Sequence, residues 1–211
     1  MPLPPTRHQK RDHASDTTDA LQEILIASVI DRNESMVQRL LDNPLVDPGL
    51  ISRRGETALF RAVMNDDPVI TKMLLDTNRC LPNHLDISGW TALTYSSMMG
   101  RTQLTEMLLD TPGIDPNGRD KMSWTPLLYA SAGGFDHIVR LLIESGAEPD
   151  AADRHQRTPL WWAVVNRHPN VVRLLMATRR VDPRHGNKYH QSPLDVAKQE
   201  ADVDMVGLLT P

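Results

Sequence analysis

Five prolines, Pro48, Pro82, Pro116, Pro149 and Pro183, are separated by 34, 34, 33 and 34 residues, and Thr57, Thr91, Thr125, Thr158 and Ser192 keep the same four intervals in the same order. Two chemically unrelated residue types sharing one irregular rhythm require a duplicated structural unit of about 33 residues, whose one shorter copy both series register. A unit of that size cannot enclose a core of its own and is stable only when stacked on neighbours. The chain is therefore restricted to an array with a thin apolar layer between units. Its composition agrees: 40% of residues are hydrophobic but only 4% aromatic, lean for a globular core and suited to a layer of Leu, Val and Ala.

Each unit opens with a short turn, as in Asp86-Ile87-Ser88-Gly89, followed one residue later by the periodic Thr or Ser, a residue type that caps helix N-termini. In three copies the next residue is proline, Pro126, Pro159 and Pro193, which suits the first helical position because no amide hydrogen bond is needed there. Leu59, Leu93, Leu127, Leu160 and Leu194 then start an apolar face, with Ala62, Ala130, Ala163 and Ala197 three residues on. Small residues at helical spacing let two helices approach closely. This first helix is expected to stop near Gly100 and Gly134. A second starts around Pro68, Thr102, Asp136 and Pro169, with a core face of Ile70, Leu104, Ile138 and Val171 and an apolar doublet one turn later. Asp31, Asp66 and Asp67 read as caps of second helices. The 33-residue copy leaves through Gly146-Ala147-Glu148-Pro149, one residue shorter than exits such as Asp110-Thr111-Pro112-Gly113-Ile114-Asp115-Pro116.

The run Asp120-x-x-Ser123-x-Thr125-Pro126-Leu127-x-x-Ala130 with Gly134, then Ile138-Val139-x-Leu141-Leu142 and Gly146-Ala147-Glu148, resembles the ankyrin repeat. The resemblance covers about 190 of 211 residues, and the Ile-Asp-Pro exits are similar to those of fungal ankyrin proteins. It implies an all-α ankyrin-repeat solenoid of six helix-turn-helix units with hairpin loops, at about 18–51, 52–85, 86–119, 120–152, 153–186 and 187–211, behind a disordered tail of residues 1–17. Two departures stand out. The turn glycine, kept at Gly55 and Gly89, becomes Ser123, Gln156 and His190, and the usual His of the family is replaced by Phe60, Thr94, Leu128, Trp161 and Asp195. Strained or altered turns and looser hairpin fingers are expected from both.

In the family, fingertips and one face of the first helices line a concave groove that contacts partners. Carried onto this register, the groove positions include Ile87, Trp90, Met98, Met99, Met122 and Trp124, an exposed strip of Trp and Met, with basic fingertips Arg53 and Arg54 before it and Arg154, His155 and Arg157 after it. Trp offers large rigid area and Met adapts its shape, so both serve as anchors; the alternative is that these fingers lie down and bury their own Trp. A protein partner with an acidic segment and an apolar anchor would suit such a surface. The other reading is an apolar small-molecule site, conceivably enzymatic, enclosed by the same side chains and by Tyr95 and Tyr129; an open strip favours protein and a closed cavity favours a ligand. Tyr95, Tyr129 and Trp162, each four residues after its Thr, are expected to pack between first helices, and Trp161 to be half-buried.

Nothing breaks the repeat pattern in the way a catalytic motif would: there is no G-x-S-x-G, no phosphate-cradling glycine loop, no His-Glu-x-x-His and no paired thiols. No cofactor or metal is implied. Cys80 stands alone without an identifiable base, and the finger histidines His155 and His190 read as solvated. A lone cysteine, no membrane-length apolar stretch and only Arg7, Lys10 and Arg11 as an import-like hint point to a cytoplasmic or nuclear monomer. A net charge of −4 and a pI near 6.0 argue against nucleic acid and anionic membrane as partners. Deleting residues 187–211 is expected to uncover the Leu174-Leu175 layer and cause aggregation, because terminal units shield such arrays; sedimentation of the truncated chain checks this, and a soluble, equally stable fragment would contradict the assignment of a terminal cap.

Overall fold

The computed structural model of the chain describes residues 13–52 and 55–210, with side chains from residue 20 onward. Its helices form six pairs: α1 (His13–Ile30) with α2 (Glu34–Leu41), α3 (Ala58–Met64) with α4 (Pro68–Asp76), α5 (Ala92–Met98) with α6 (Thr102–Leu109), α7 (Pro126–Gly133) with α8 (Asp136–Glu144), α9 (Pro159–Val165) with α10 (Pro169–Ala177), and α11 (Pro193–Gln199) with α12 (Val203–Leu209). No strand occurs among the described residues. Helix α1 begins five residues ahead of the expected unit boundary at residue 18, so residues 13–17 are helical. Residues 1–12, which hold Arg7, Lys10 and Arg11, lie outside the described residues, as do Arg53 and Arg54.

The periodic hydroxyls set where the first helices start. Thr57, Thr91, Thr125, Thr158 and Ser192 are each in an extended conformation, and each side chain accepts a hydrogen bond from the amide three residues on. One of the four amides that a helix start leaves unpaired is thereby satisfied in every copy. Asp67 caps α4 in the same way. The other two acidic residues read as caps are not caps. Asn33 takes that place on α2, and Asp66 sits one residue before its helix cap at φ 54°. The connection between paired helices needs a left-handed residue at that point, and Arg32, Asp66, Gly100, Gly134, Arg167 and Ala201 all supply it. Asp66 also pairs with Arg101 of the next unit at 2.6 Å.

First helices stack on first helices and second helices on second helices along the whole array. The inner row meets more closely because Ala62, Ala130, Ala163 and Ala197, all buried, present almost no side chain to the neighbour. Ser96 fills the same place in unit three. Its buried hydroxyl donates to Leu93 O and accepts from Thr105 Oγ1 at 2.9 Å, so polarity there is satisfied. Between the rows lie Leu59, Leu93, Leu127, Leu160 and Leu194, with Ile70, Leu104, Ile138, Val171, Leu74, Leu108, Leu142 and Leu175, all buried in one continuous cluster. The second residue of each doublet, Leu75, Leu109, Ile143 and Met176, packs on it from the edge. On the exit side, Asn83 clasps the next exit by donating to Gly113 O and accepting from Asp115 N, and Asn117 repeats this with Gly146 O and Glu148 N.

The last unit closes its first helix with a reciprocal cap: Ser192 Oγ accepts from Asp195 N, and Asp195 Oδ2 accepts from Ser192 N and Ser192 Oγ. These hydrogen bonds, the hydroxyl's first, hold the Asp195 carboxyl below its ordinary 3.8. A carboxyl lowered in the folded state contributes stability that is fully present above its unfolded value and is lost as pH falls through the folded one. Amide exchange at Ser192 and Asp195 is therefore expected to stay protected at pH 5 and to accelerate only below pH 3.8, and Asp195→Asn should remove that pH dependence while leaving the equivalent amides of α7 unchanged.

Candidate functional site

The inner helices α3, α5, α7, α9 and α11 are each preceded by a five-residue finger: 52–56, 86–90, 120–124, 153–157 and 187–191. In all five the first residue's amide donates to the carbonyl of the fifth at 2.8–3.0 Å, and the fourth residue's amide returns to the carbonyl of the first. The fourth residue is left-handed in every copy: Gly55 at φ 74°, Gly89 at 85°, Ser123 at 63°, Gln156 at 60° and His190 at 60°. The turns lacking glycine are thus not altered, contrary to expectation, although Ser123, Gln156 and His190 carry the steric cost of that conformation. What holds them is the opening residue. One side-chain oxygen of Asp86, Asp120, Asp153 and Asn187 accepts from the amides of both the third and the fifth finger residues, at 2.7–3.2 Å. The family histidine's missing hydrogen bonds are replaced from inside the finger, which is closed rather than loose.

Trp90 and Trp124 end their fingers half-buried, not projecting as an open strip. They belong to a continuous ladder in which neighbouring rings touch in the order Phe60, Tyr95, Trp90, Tyr129, Trp124, Trp162 and Trp161, with centroid separations from 4.7 to 6.5 Å. These are contact distances for tilted and edge-to-face pairs, each adding about 0.5–1.5 kcal/mol beyond its buried area. From Tyr95 to Trp162 the rings alternate between inner helix and finger, so the fingers of units three and four are each pinned to their own helix and to the next unit. Tyr95, Tyr129 and Trp162 pack between units as expected, and Trp161 is half-buried with its indole N–H unpartnered among the described residues.

Asp120 anchors the ladder's middle. It is only 9% exposed, and its second carboxylate oxygen accepts from Tyr129 OH at 2.7 Å and from Trp90 Nε1 at 3.3 Å. One carboxylate thus closes its own finger and ties down a ring of its own unit and one of the unit before. Burial, followed by the bond to Asp120 and its charge, pushes the Tyr129 phenol far above its ordinary 10, so it remains a donor across the working pH range. In unit five Asp153 is fully buried and its second oxygen receives Arg157 Nε at 2.8 Å and a terminal nitrogen at 2.7 Å. The Arg157 guanidinium then lies over Trp162, 4.3 Å from the ring centroid, and over Trp161 at 5.5 Å. Arg157 is therefore committed to the ladder's end and is not a free basic fingertip.

Of the other groove positions, Ile87 is 71% exposed, Met99 44% and Met122 41%, and Met98 is half-buried. Arg154 is exposed, and the half-buried His155 stacks on Tyr189 at 6.3 Å. The outward apolar positions are thus one isoleucine and two methionines beside a wall of mutually packed rings. The rings pack against one another at contact distances. Five concavities among the described residues, of about 270 to 600 Å³, are lined by other side chains. Burial pushes the Cys80 thiol up to about 11, where it stays protonated, and it donates to Leu74 O. Among the described residues no three His, Cys, Asp or Glu side chains are grouped to hold a metal ion, and no helix is long and apolar enough to cross a membrane.

Stacked helix pairs joined through capped, outward fingers define a class, the helical repeat solenoid. Within it, the family model for ankyrin repeats in three copies matches residues 24–120 and 112–187, and the chain belongs to the ankyrin-repeat family. No curated protein matches it. Asp120→Ala is expected to strand Trp90 Nε1, Tyr129 OH and two finger amides, and so to lower unfolding free energy by about 2–4 kcal/mol; urea denaturation followed by far-ultraviolet circular dichroism measures it, and a loss below the cost of a single surface substitution would remove Asp120 from this role.

Proposed function

We propose that the protein is a non-catalytic interaction module, acting as an adaptor, inhibitor or assembly partner, that holds a segment of another protein along the groove side of units three and four. Ankyrin repeats are protein–protein interaction modules. The observation that carries the reading is the pairing of exposed, adaptable apolar side chains, Ile87, Met99 and Met122, with a rigid aromatic wall behind them in Trp90 and Trp124, beside the half-buried Met98. A surface already ordered before binding loses little conformational entropy when a partner docks, and Met adjusts to the shape presented. Arg154 and His155, with Arg53 and Arg54 at the other end of the sequence register, suit an acidic stretch of that partner and would steer its approach. The chain works as a monomer in the cytoplasm or nucleus, in keeping with its single cysteine, which can form no internal disulfide.

Because Trp90 and Trp124 also support the fold, their removal confounds binding with stability, and the exposed residues give the cleaner test. Ile87→Asp combined with Met99→Asp should leave the circular dichroism spectrum intact and weaken partner capture by about tenfold or more, the scale of losing a central apolar anchor. Quantitative mass spectrometry of proteins retained by wild type and variant after mild purification measures this. An unchanged set of retained proteins on a folded variant would sink the groove reading.

A further inference from the structure

The tips of the last three fingers form one row. Arg154 N donates to Met122 O at 3.5 Å, Lys188 N donates to His155 O at 2.9 Å, and Lys121 Nζ reaches back to Ile87 O. Each tip offers the same pair of side chains in the same order: a cation, then a soft or flat group. The pairs are Lys121 with Met122, Arg154 with His155, and Lys188 with Tyr189. All three cations are exposed, Tyr189 is 64% exposed and Met122 41%. Among the described residues, none of the three cations is in an ion pair. Arg157, in the same finger as Arg154, is by contrast neutralised by Asp153.

The surrounding charge strengthens the row. Unit five, residues 153–186, holds seven Arg, no Lys and two acidic residues, a net +5 within a chain of net −4. The positive charge is therefore concentrated in unit five; units one, three, four and six are net acidic, and unit two is net +1. A bilayer or a nucleic acid would engage a broad front and meet that acidic remainder, whereas a narrow chain laid along the tips would not.

Deepening the reading above, on which it rests, we infer that the fingertip row of units four to six recognises an extended acidic segment of the partner, with one carboxylate for each finger. Stacked helices stand about 8–10 Å apart, and a chain extended as a polyproline II helix advances about 3.1 Å per residue with three residues per turn, so side chains three residues apart share one face at about that step and match successive cations. The recognised pattern is acid-x-x-acid-x-x-acid, its intervening apolar residues resting on Met122 and Tyr189. A helical segment would need its acids seven apart to keep the same step.

The test uses the full chain and two fluorescent nine-residue peptides of one composition, with Glu at positions 1, 4 and 7 or at 1, 2 and 3, Leu at two other positions and Ser elsewhere. Fluorescence anisotropy should show the spaced peptide binding about tenfold tighter than the clustered one, with the difference shrinking at high salt. Arg154→Glu with Lys188→Glu should abolish the preference, and Met99→Asp, in the groove, should leave it in place. Equal binding of the two peptides would overturn the inference, as would a preference that survives the double charge reversal. Tighter binding of a 20-nucleotide single-stranded DNA or of phosphatidylserine vesicles than of the spaced peptide would also overturn it. Because the groove variant is measured alongside, failure of the row and failure of the groove are read separately.

Discussion

No unit of this chain can bury its own leucines. Leu127 is covered by its own second helix on one side and by the inner helices of units three and five on the others, and the same holds along the array. The capped helix starts, the left-handed junctions and the fingers all follow from the need to bring each pair back into an identical position one step further along. Thr125 fixes where the inner helix begins, Gly134 turns the chain after it, and the alanine row sets how near the next helix comes. Because the inner row is thinned by alanine and the outer row is not, the inner helices meet more closely.

The aromatic ladder is the chain's own addition to that frame. An array with few aromatic residues has put seven of them into one file and secured the middle with Asp120 and the far end with Arg157 on Asp153. Hydrogen-bonded carboxylates at both points make this a network in which each group orders the next. Its effect is to join finger to helix and unit to unit on the side where a partner would lie, leaving only Ile87, Met99 and Met122 free to adapt.

Most of the fold was legible because each unit repeats the same local chemistry. The starts of α4, α6, α8 and α10 fall on Pro68, Thr102, Asp136 and Pro169, as periodicity alone requires. The misreadings arose where two residues of one type compete or where a partner is a whole unit away. Asp66 and Asp67 are chemically alike, and only the position of the left-handed residue decides which of them caps. Trp90 could have pointed outward on local grounds; its orientation is set by Asp120, 30 residues on. Arg157 reads in the sequence as a partner-contacting basic fingertip because its pairing with Asp153 depends on a turn that closes without glycine. The signal for that closure was present in Asp86, Asp120, Asp153 and Asn187, which open four fingers at the same register.

All four tryptophans, Trp90, Trp124, Trp161 and Trp162, lie in units three to five, and none lies in the first two units or the last. Indole emission is thus a window on the centre of the stack. Fraying of α1 and α2 or of α11 and α12 would pass without a change in indole emission, while backbone circular dichroism would register it. In a structure whose units touch only their neighbours, the gap between those two signals is a direct measure of cooperativity. Coincident curves would mean that the stack melts as a single body, and divergent ones that its ends loosen first.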